Sequence, residues 1–373
     1  MFKYLRLVLL ISALSFVMVA CNNSNDNATE GTTDGSTASN SQASLQEVKF
    51  GLMPYYDYAP WALAEELGYF NEEGIKFKPT LFPVEGNVAP ALANGSIDIG
   101  AFSDTPSITL AAQFEDLQMI AFHNVFKGFA IMTRPDGFKT YEQFLAELGD
   151  PKQAAIETGK QLQGKQIVTT SGATFYMVLE QALKNAGLTM DDMEVIDMEP
   201  DTGVSAFISG TGDFYLGGLP QRERLQQEGF PALISGEDIG PGAVNLAGIA
   251  AKKAFVDENP ELINKIERVW FKTMEYMKSN PDEAHEAIAA WSNEQTGGST
   301  TGEEVGTFLE SYVIFPKSLE ETEAIFYDPA SPSNWKDRYE MLIEYHEGTG
   351  EIKAGVVDVD KLIKADEIFA GLK

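Results

Sequence analysis

The 373-residue chain carries 56 Asp and Glu against 27 Lys and Arg, a formal net charge of −29, and a single cysteine. So acidic a surface lacks the basic footprint that nucleic-acid phosphates require and is not drawn to anionic lipid. One cysteine excludes a disulfide within the chain.

Residues 1–20, MFKYLRLVLLISALSFVMVA, read as a secretory signal peptide, with Lys3 and Arg6 ahead of an apolar run and a small residue at the end. The run from Leu7 to Ala20 is shorter than the ~20 residues a membrane span needs. The tetrapeptide MVAC resembles a bacterial lipobox, which implies cleavage before Cys21 and acylation of its sulfur with palmitate-type chains. That would hold the protein on the extracytoplasmic face of the cell membrane through lipid alone. Cleavage removes two bases and no acid, taking the formal charge from −29 to −31. Residues 21–45 comprise the lipidated cysteine and a segment rich in Asn, Ser, Thr and Gly. That segment is too poor in apolar side chains to fold, so it reads as a disordered tether.

From residue 46 the chain alternates strands and helices. VKFGLM reads as a strand, PWALAEELGYF as a helix with proline in its first turn, GIKFKPTLF as a strand, and EGNVAPALANGS as a helix closed by Gly95. IDIGAF, LQMIAFHNV and GFAIMTR continue as strands, with the helix TPSITLAAQF after the first of them. GKQIVTTSG runs into the helix ATFYMVLEQALKNAGL, and DMEVIDME, GVSAFISGTG, DFYLGG and LPQRERLQQEG repeat the pattern. The chain is helical from NPELINKIERVW onward, and residues 140–163 form an extra helical insertion. This alternation predicts an α/β protein with mainly parallel sheets.

The opening PYYDYAPWALAEELGYFNEEGIKF, then LANGSIDIGAFSDTP, LQGKQIVTTSGATFYMVLEQALKNAGL and FISGTGDFYLGGLP, in that order, resemble the extracytoplasmic solute-binding proteins of ABC importers in the nitrate/taurine/alkanesulfonate and thiamine-precursor group. The likeness runs from about residue 47 to about 285; the insertion departs from it. It implies a two-lobed periplasmic-binding-protein fold of type II with two hinge crossings, near Thr133–Gly137 and Pro241–Gly248. Lobe one would be 46–134 plus 244–373 and lobe two 135–243. It also implies a monomer that closes on a small-molecule ligand and hands it to permease and ATPase subunits.

Ligands of open α/β sheets sit beyond the carboxyl ends of the strands, and four strand-to-helix junctions lie there. In PYYDYAPW, Tyr55, Tyr56, Tyr58 and Trp61 either wall the ligand or pack the loop onto its own lobe. In GAFSDTPS, Phe102, Ser103, Asp104 and Thr105 lead into a helix whose N–H groups either take a ligand acceptor or are simply capped. In TTSGATFY, Thr170, Ser171 and Thr174 offer hydroxyls and Gly172 a close backbone approach, an arrangement suited to an anion. In DFYLGGLPQRER, Gly217 and Gly218 end a strand at the cleft, Leu219 and Gln221 face it, and Arg222 or Arg224 either clamps an acid group or is a solvated first-turn residue. Phe129 and Tyr215 complete the lining. His123, His285 and His346 show no metal-ligand spacing, and no G-x-S-x-G elbow or P-loop occurs. No catalytic residue, metal or cofactor is therefore expected, and the chain is not read as an enzyme. Two ligand chemistries stay open: a small anion such as an alkanesulfonate, taurine or nitrate, and a flat heterocycle such as a thiamine pyrimidine or flavin precursor. A tethered ligand sensor is the alternative of another class.

Overall fold

The computed structural model describes residues 45–171, 174–240 and 243–373. The signal peptide, Cys21, nearly all of the tether and Gly172 lie outside the described residues.

In chain order the strands are β1 (Gln46–Leu52), β2 (Ile75–Leu81), β3 (Ile99–Ser103), β4 (Leu117–Phe126), β5 (Ala130–Thr133), β6 (Gln166–Thr169), β7 (Glu194–Asp197), β8 (Phe214–Tyr215), β9 (Ala232–Ser235), β10 (Asn245–Lys252) and β11 (Val313–Ile314). They form two sheets, ordered β11-β4-β10-β3-β1-β2 and β7-β6-β8-β5-β9. Leaving β11 aside, the two orders are the same, and in each sheet the strand that arrives from the other one slots between the third and fourth. Both inserted strands run antiparallel to their neighbours. Among the described strands, β1–β2, β1–β3, β6–β7 and β6–β8 are the pairs that run in parallel. The sheets are therefore mixed rather than mainly parallel, because a chain that crosses over and returns must run against the strands it rejoins.

The forward crossing lies earlier than the sequence suggested. β5 is already bonded to β8 and β9, so the chain changes sheets through 127–129 and not at Thr133–Gly137. The return lies between Gly240, which follows the helix Gly236–Ile239 of the second lobe, and β10. There Gly248 sits at a register shift against β4. A Cβ on it would lie 1.9 Å from the Ala121 carbonyl oxygen, so no other residue fits without moving backbone.

The first sheet's core is closed by the helix Pro260–Ser279. Its Leu262, Ile263, Ile266, Val269, Trp270 and Met274 fall on one stripe at helical spacing and are all buried. The insertion forms two helices, Tyr141–Leu148 and Pro151–Lys160. A Thr140–Gln143 capping box starts the first, and the Asp150 side chain caps the second. The helices Pro281–Thr296 and Gly302–Tyr312 pack Ile288, Val305 and Leu309 into a core shared with Leu63 and with second-sheet residues.

Candidate functional site

Between the sheets lies a cavity of about 30 Å3 lined by Tyr55, Asp57, Tyr58, Glu85, Phe126, Phe129, Thr174, Phe175, Gly218, Leu219 and Asn245. That is room for about two water molecules. Each lining residue sits where the topology makes a junction. Tyr55, Asp57 and Tyr58 follow β1, in a turn held by the Tyr58 and Ala59 N–H groups donating to the Tyr55 carbonyl at 3.1 and 3.0 Å. Glu85 opens the helix after β2. Thr174 and Phe175 open the helix after β6, Gly218 and Leu219 the one after β8. Phe126 and Phe129 flank the forward crossing, and Asn245 begins the return strand. Gly218 is needed for contact between the two sides: a Cβ there would come within 3.1 Å of the Tyr55 ring.

The polar inventory is one-sided. Asp57 and Glu85 are both 6% exposed, and among the described residues no Lys, Arg or His lines the cavity. Tyr58 Oη donates to Glu85 at 2.6 Å and Ser103 Oγ at 3.1 Å. Tyr55 Oη is spent on the Pro83 carbonyl at 2.8 Å. Asn245 Nδ2 donates to Thr174 Oγ1 at 3.2 Å, while its Oδ1 is buried with no hydrogen-bond partner among the described residues. Burial pushes the Asp57 carboxyl up to about 7, and Glu85 nearby adds to the shift. Burial lifts Glu85 to about 7 as well, against the hydroxyls that donate to it. The rings are arranged edge to face, Phe126–Phe129 at 4.7 Å and Phe129–Phe175 at 5.9 Å between centroids.

Of the residues singled out from sequence, Tyr55, Tyr58, Phe129, Thr174, Gly218 and Leu219 meet at this cavity. The other described ones lie elsewhere. Trp61 is 1% exposed in the first core, 4.8 Å from Trp270 and 5.1 Å from Phe50 between ring centroids. Phe102 is in that core too, and Tyr215 is buried against Phe207. Tyr56 and Thr300 both donate to the Glu223 carboxylate, Thr300 at 2.8 Å. Ser103 stands behind the cavity, bonded to Glu85 and lying 3.3 Å from Thr174 Oγ1. Thr105 donates to the Met177 sulfur at 3.3 Å. Asp104, fully buried, holds Arg338 Nε at 2.7 Å and the Leu246 N–H at 3.0 Å, and Arg338 also donates to the Val244 carbonyl.

The turn that looked suited to an anion is already engaged. Thr170 donates to the Met198 carbonyl at 2.6 Å, and the Ser171 N–H and hydroxyl both go to the Asp197 carboxylate at 2.9 and 2.5 Å. Arg222 is pinned to the Gly128 carbonyl at 2.7 Å and the Tyr312 hydroxyl at 2.8 Å, with its guanidinium over the Tyr312 ring. The sequence reading missed Asp57, Glu85, Phe126, Phe175 and Asn245. For Asp57 there was a signal, a lone carboxylate amid four aromatics.

A family model described as NMT1/THI5 like matches residues 56–284. The riboflavin-binding protein RibY of Chloroflexus aurantiacus is 25% identical over 286 residues, 75% of this chain and 76% of that protein. Two solved structures superpose over most of the chain. One is the alkanesulfonate-binding protein SsuA from Xanthomonas axonopodis pv. citri bound to MOPS, with a TM-score of 0.64 at 16% identity, covering 85% of this chain and 97% of that one. The other is the periplasmic nitrate-binding protein NrtA from Synechocystis PCC 6803, with a TM-score of 0.64 at 16% identity, covering 88% and 89%. At such identities the likeness speaks for fold alone: the two sheets are the two lobes of a periplasmic-binding-protein fold.

Proposed function

Since the chain belongs to the NMT1/THI5-like family, and its relatives include taurine- and riboflavin-binding proteins, we propose that it is the solute-binding component of an ABC importer, tethered outside the cell membrane through acylated Cys21. The observation that carries this reading is the cavity walled from both sheets. Tyr55, Asp57, Tyr58 and Glu85 stand on one side and Phe175, Gly218 and Leu219 on the other. A solute there touches both lobes only when they meet, so binding favours the closed arrangement that a permease can recognise. In this reading the forward hinge is 127–129 and the return hinge lies just before β10. The sequence bounds, 46–134 plus 244–373 for lobe one and 135–243 for lobe two, then shift at the forward crossing: lobe one ends at Phe126 and lobe two begins at Ala130, because β5 pairs with β8 and β9. At about 30 Å3 the cavity admits even a single ring only after the lobes part, which is the motion the role requires.

Of the two ligand chemistries the sequence left open, the aromatic lining favours a flat heterocycle over a sulfonate or nitrate. The cavity offers an anion no cationic side chain, and the Ser171 donors are committed to Asp197. The test is a thermal-shift panel of taurine, alkanesulfonates, nitrate, thiamine pyrimidines and riboflavin on the purified chain. A solute at 100 times its dissociation constant adds about 2.7 kcal/mol, an easily read rise. A panel that stays silent throughout, widened to amines and amino acids, refutes the solute-binding role.

A further inference from the structure

We propose that the cavity recognises a positively charged or donor-rich nitrogen group, an ammonium, amidinium or ring-bound amine carried on a small flat body, held between the carboxylates of Asp57 and Glu85 with Asn245 as a third acceptor. The inference rests on the solute-binding reading and names the class of solute.

It comes from counting donors and acceptors. Asp57 is 6% exposed and lines the cavity, and among the described residues no side chain donates to its carboxylate. Asn245 Oδ1 is a buried acceptor without a partner among the described residues. The Tyr55 and Tyr58 hydroxyls are already donated, to the Pro83 carbonyl and to Glu85. The nearby guanidiniums are engaged elsewhere, Arg222 by Gly128 and Tyr312 and Arg338 by Asp104 and Val244. What the cavity lacks is donors and positive charge, and a complementary ligand supplies both. The faces of Phe126, Phe129 and Phe175 suit the flat body that carries the nitrogen, and a cation gains further from aromatic faces.

Binding is then linked to protons. Facing the acid pair are Tyr55, Tyr58, Ser103 and Asp104 from the first lobe and Thr174 from the second. Burial drives both tyrosines well above their ordinary range, and Asp104 is ion-paired to Arg338. Burial holds Asp57 and Glu85 near 7, so both change charge between pH 5 and 8. A cation must displace their proton, so its affinity falls as the pH drops below 7, by about tenfold per unit for each proton released.

The test uses three probes on one phenyl frame, benzamidinium, benzamide and benzenesulfonate, by calorimetry and thermal shift on the full chain. The amidinium is expected to bind at pH 8 and to weaken towards pH 5.5, while the sulfonate does not bind. Asp57→Asn and Glu85→Gln each lower amidinium affinity about tenfold or more, the scale of a charge-assisted hydrogen bond. Both variants relieve a buried charge, so the unliganded protein at pH 8 melts no lower than the parent. Benzenesulfonate binding as tightly as benzamidinium, or amidinium binding untouched by both substitutions, overturns the proposal and leaves the solute-binding role standing. Silence from all three probes while taurine or nitrate stabilises the chain does the same. Silence from these and from the whole wider panel overturns both.

Discussion

Asp104 looked from sequence like a ligand residue, and its surroundings make a sharper prediction. It is fully buried at the start of the helix Asp104–Ala111. One oxygen takes the Thr105 N–H at 2.7 Å; the other takes the Leu246 N–H at 3.0 Å and Arg338 Nε at 2.7 Å. Replacing Arg338 by Met keeps much of the length of the side chain and removes the charge, leaving a buried carboxylate with backbone donors and no counterion. Breaking a buried pair from one side costs about 3–5 kcal/mol. At about 2–4 °C per kcal/mol for chains of 150–250 residues, the melting temperature drops by roughly 6–20 °C, towards the lower figure for a chain this long. The double variant Asp104→Asn/Arg338→Met has no stranded charge and recovers more than half of the loss. Urea and thermal unfolding of the four proteins of this cycle give the coupling energy. Ligand affinity per folded molecule changes by no more than a few-fold in Asp104→Asn, since Asp104 does not line the cavity. A loss under 1 kcal/mol in Arg338→Met, or a double variant no better than the single, refutes the assignment of this pair as the clamp on the return strand.

Further outcomes concern other sites. Asp57 and Glu85 have native pKa values raised to about 7, so between pH 4 and 7 the native state holds more protons than the unfolded chain and stability falls as the pH rises. The urea midpoint of the unliganded protein therefore drops from pH 5 to pH 8, and Asp57→Asn shows a smaller drop; an equal drop in both would be contrary. Gly248→Ala drives a Cβ towards the Ala121 carbonyl at 1.9 Å, at or beyond the upper end of the about 1–3 kcal/mol of overpacking, and its melting temperature reads this directly. Tyr56→Phe removes a donor from buried Glu223, lowering stability by about 1–3 kcal/mol; an unchanged melting temperature would mean the bond contributes nothing. Trp61→Ala loses about 3–5 kcal/mol with little effect on the affinity of the remaining folded protein, which ligand titration after correction for the unfolded fraction can establish.

The strand-to-helix junctions were readable because they rest on local signals: Pro60, Pro106 and Pro220 in first turns, Gly95 after a helix, and apolar runs of strand length. Which side chain at a junction faces the cavity was not, since that depends on one turn of backbone. The bonds from Tyr58 and Ala59 to the Tyr55 carbonyl send Tyr55, Asp57 and Tyr58 one way and Trp61 the other, and an aromatic run carries no mark of that split. Long-range pairing was equally hidden. Arg338 lies 234 residues from Asp104 and Thr300 lies 77 from Glu223, and nothing in the sequence near either acid names its partner. Asn245 went unseen because it falls within Pro241–Gly248, expected only as the return crossing, whereas Asn245–Lys252 is a strand whose residues are nearly all buried, on both faces.

The bonds that span the two lobes bear on speed as well as affinity. Thr105 meets Met177, Ser103 lies against Thr174, Tyr345 donates to Glu180, and Tyr55 presses on Gly218. A solute reaches the cavity only while these contacts are broken, so uptake waits on how often the lobes separate and runs below the ~10^5–10^7 M−1 s−1 usual for preformed surfaces. Escape waits on the same event. On the proposed solute-binding role, a captured molecule is thus retained for about the lifetime of the closed form.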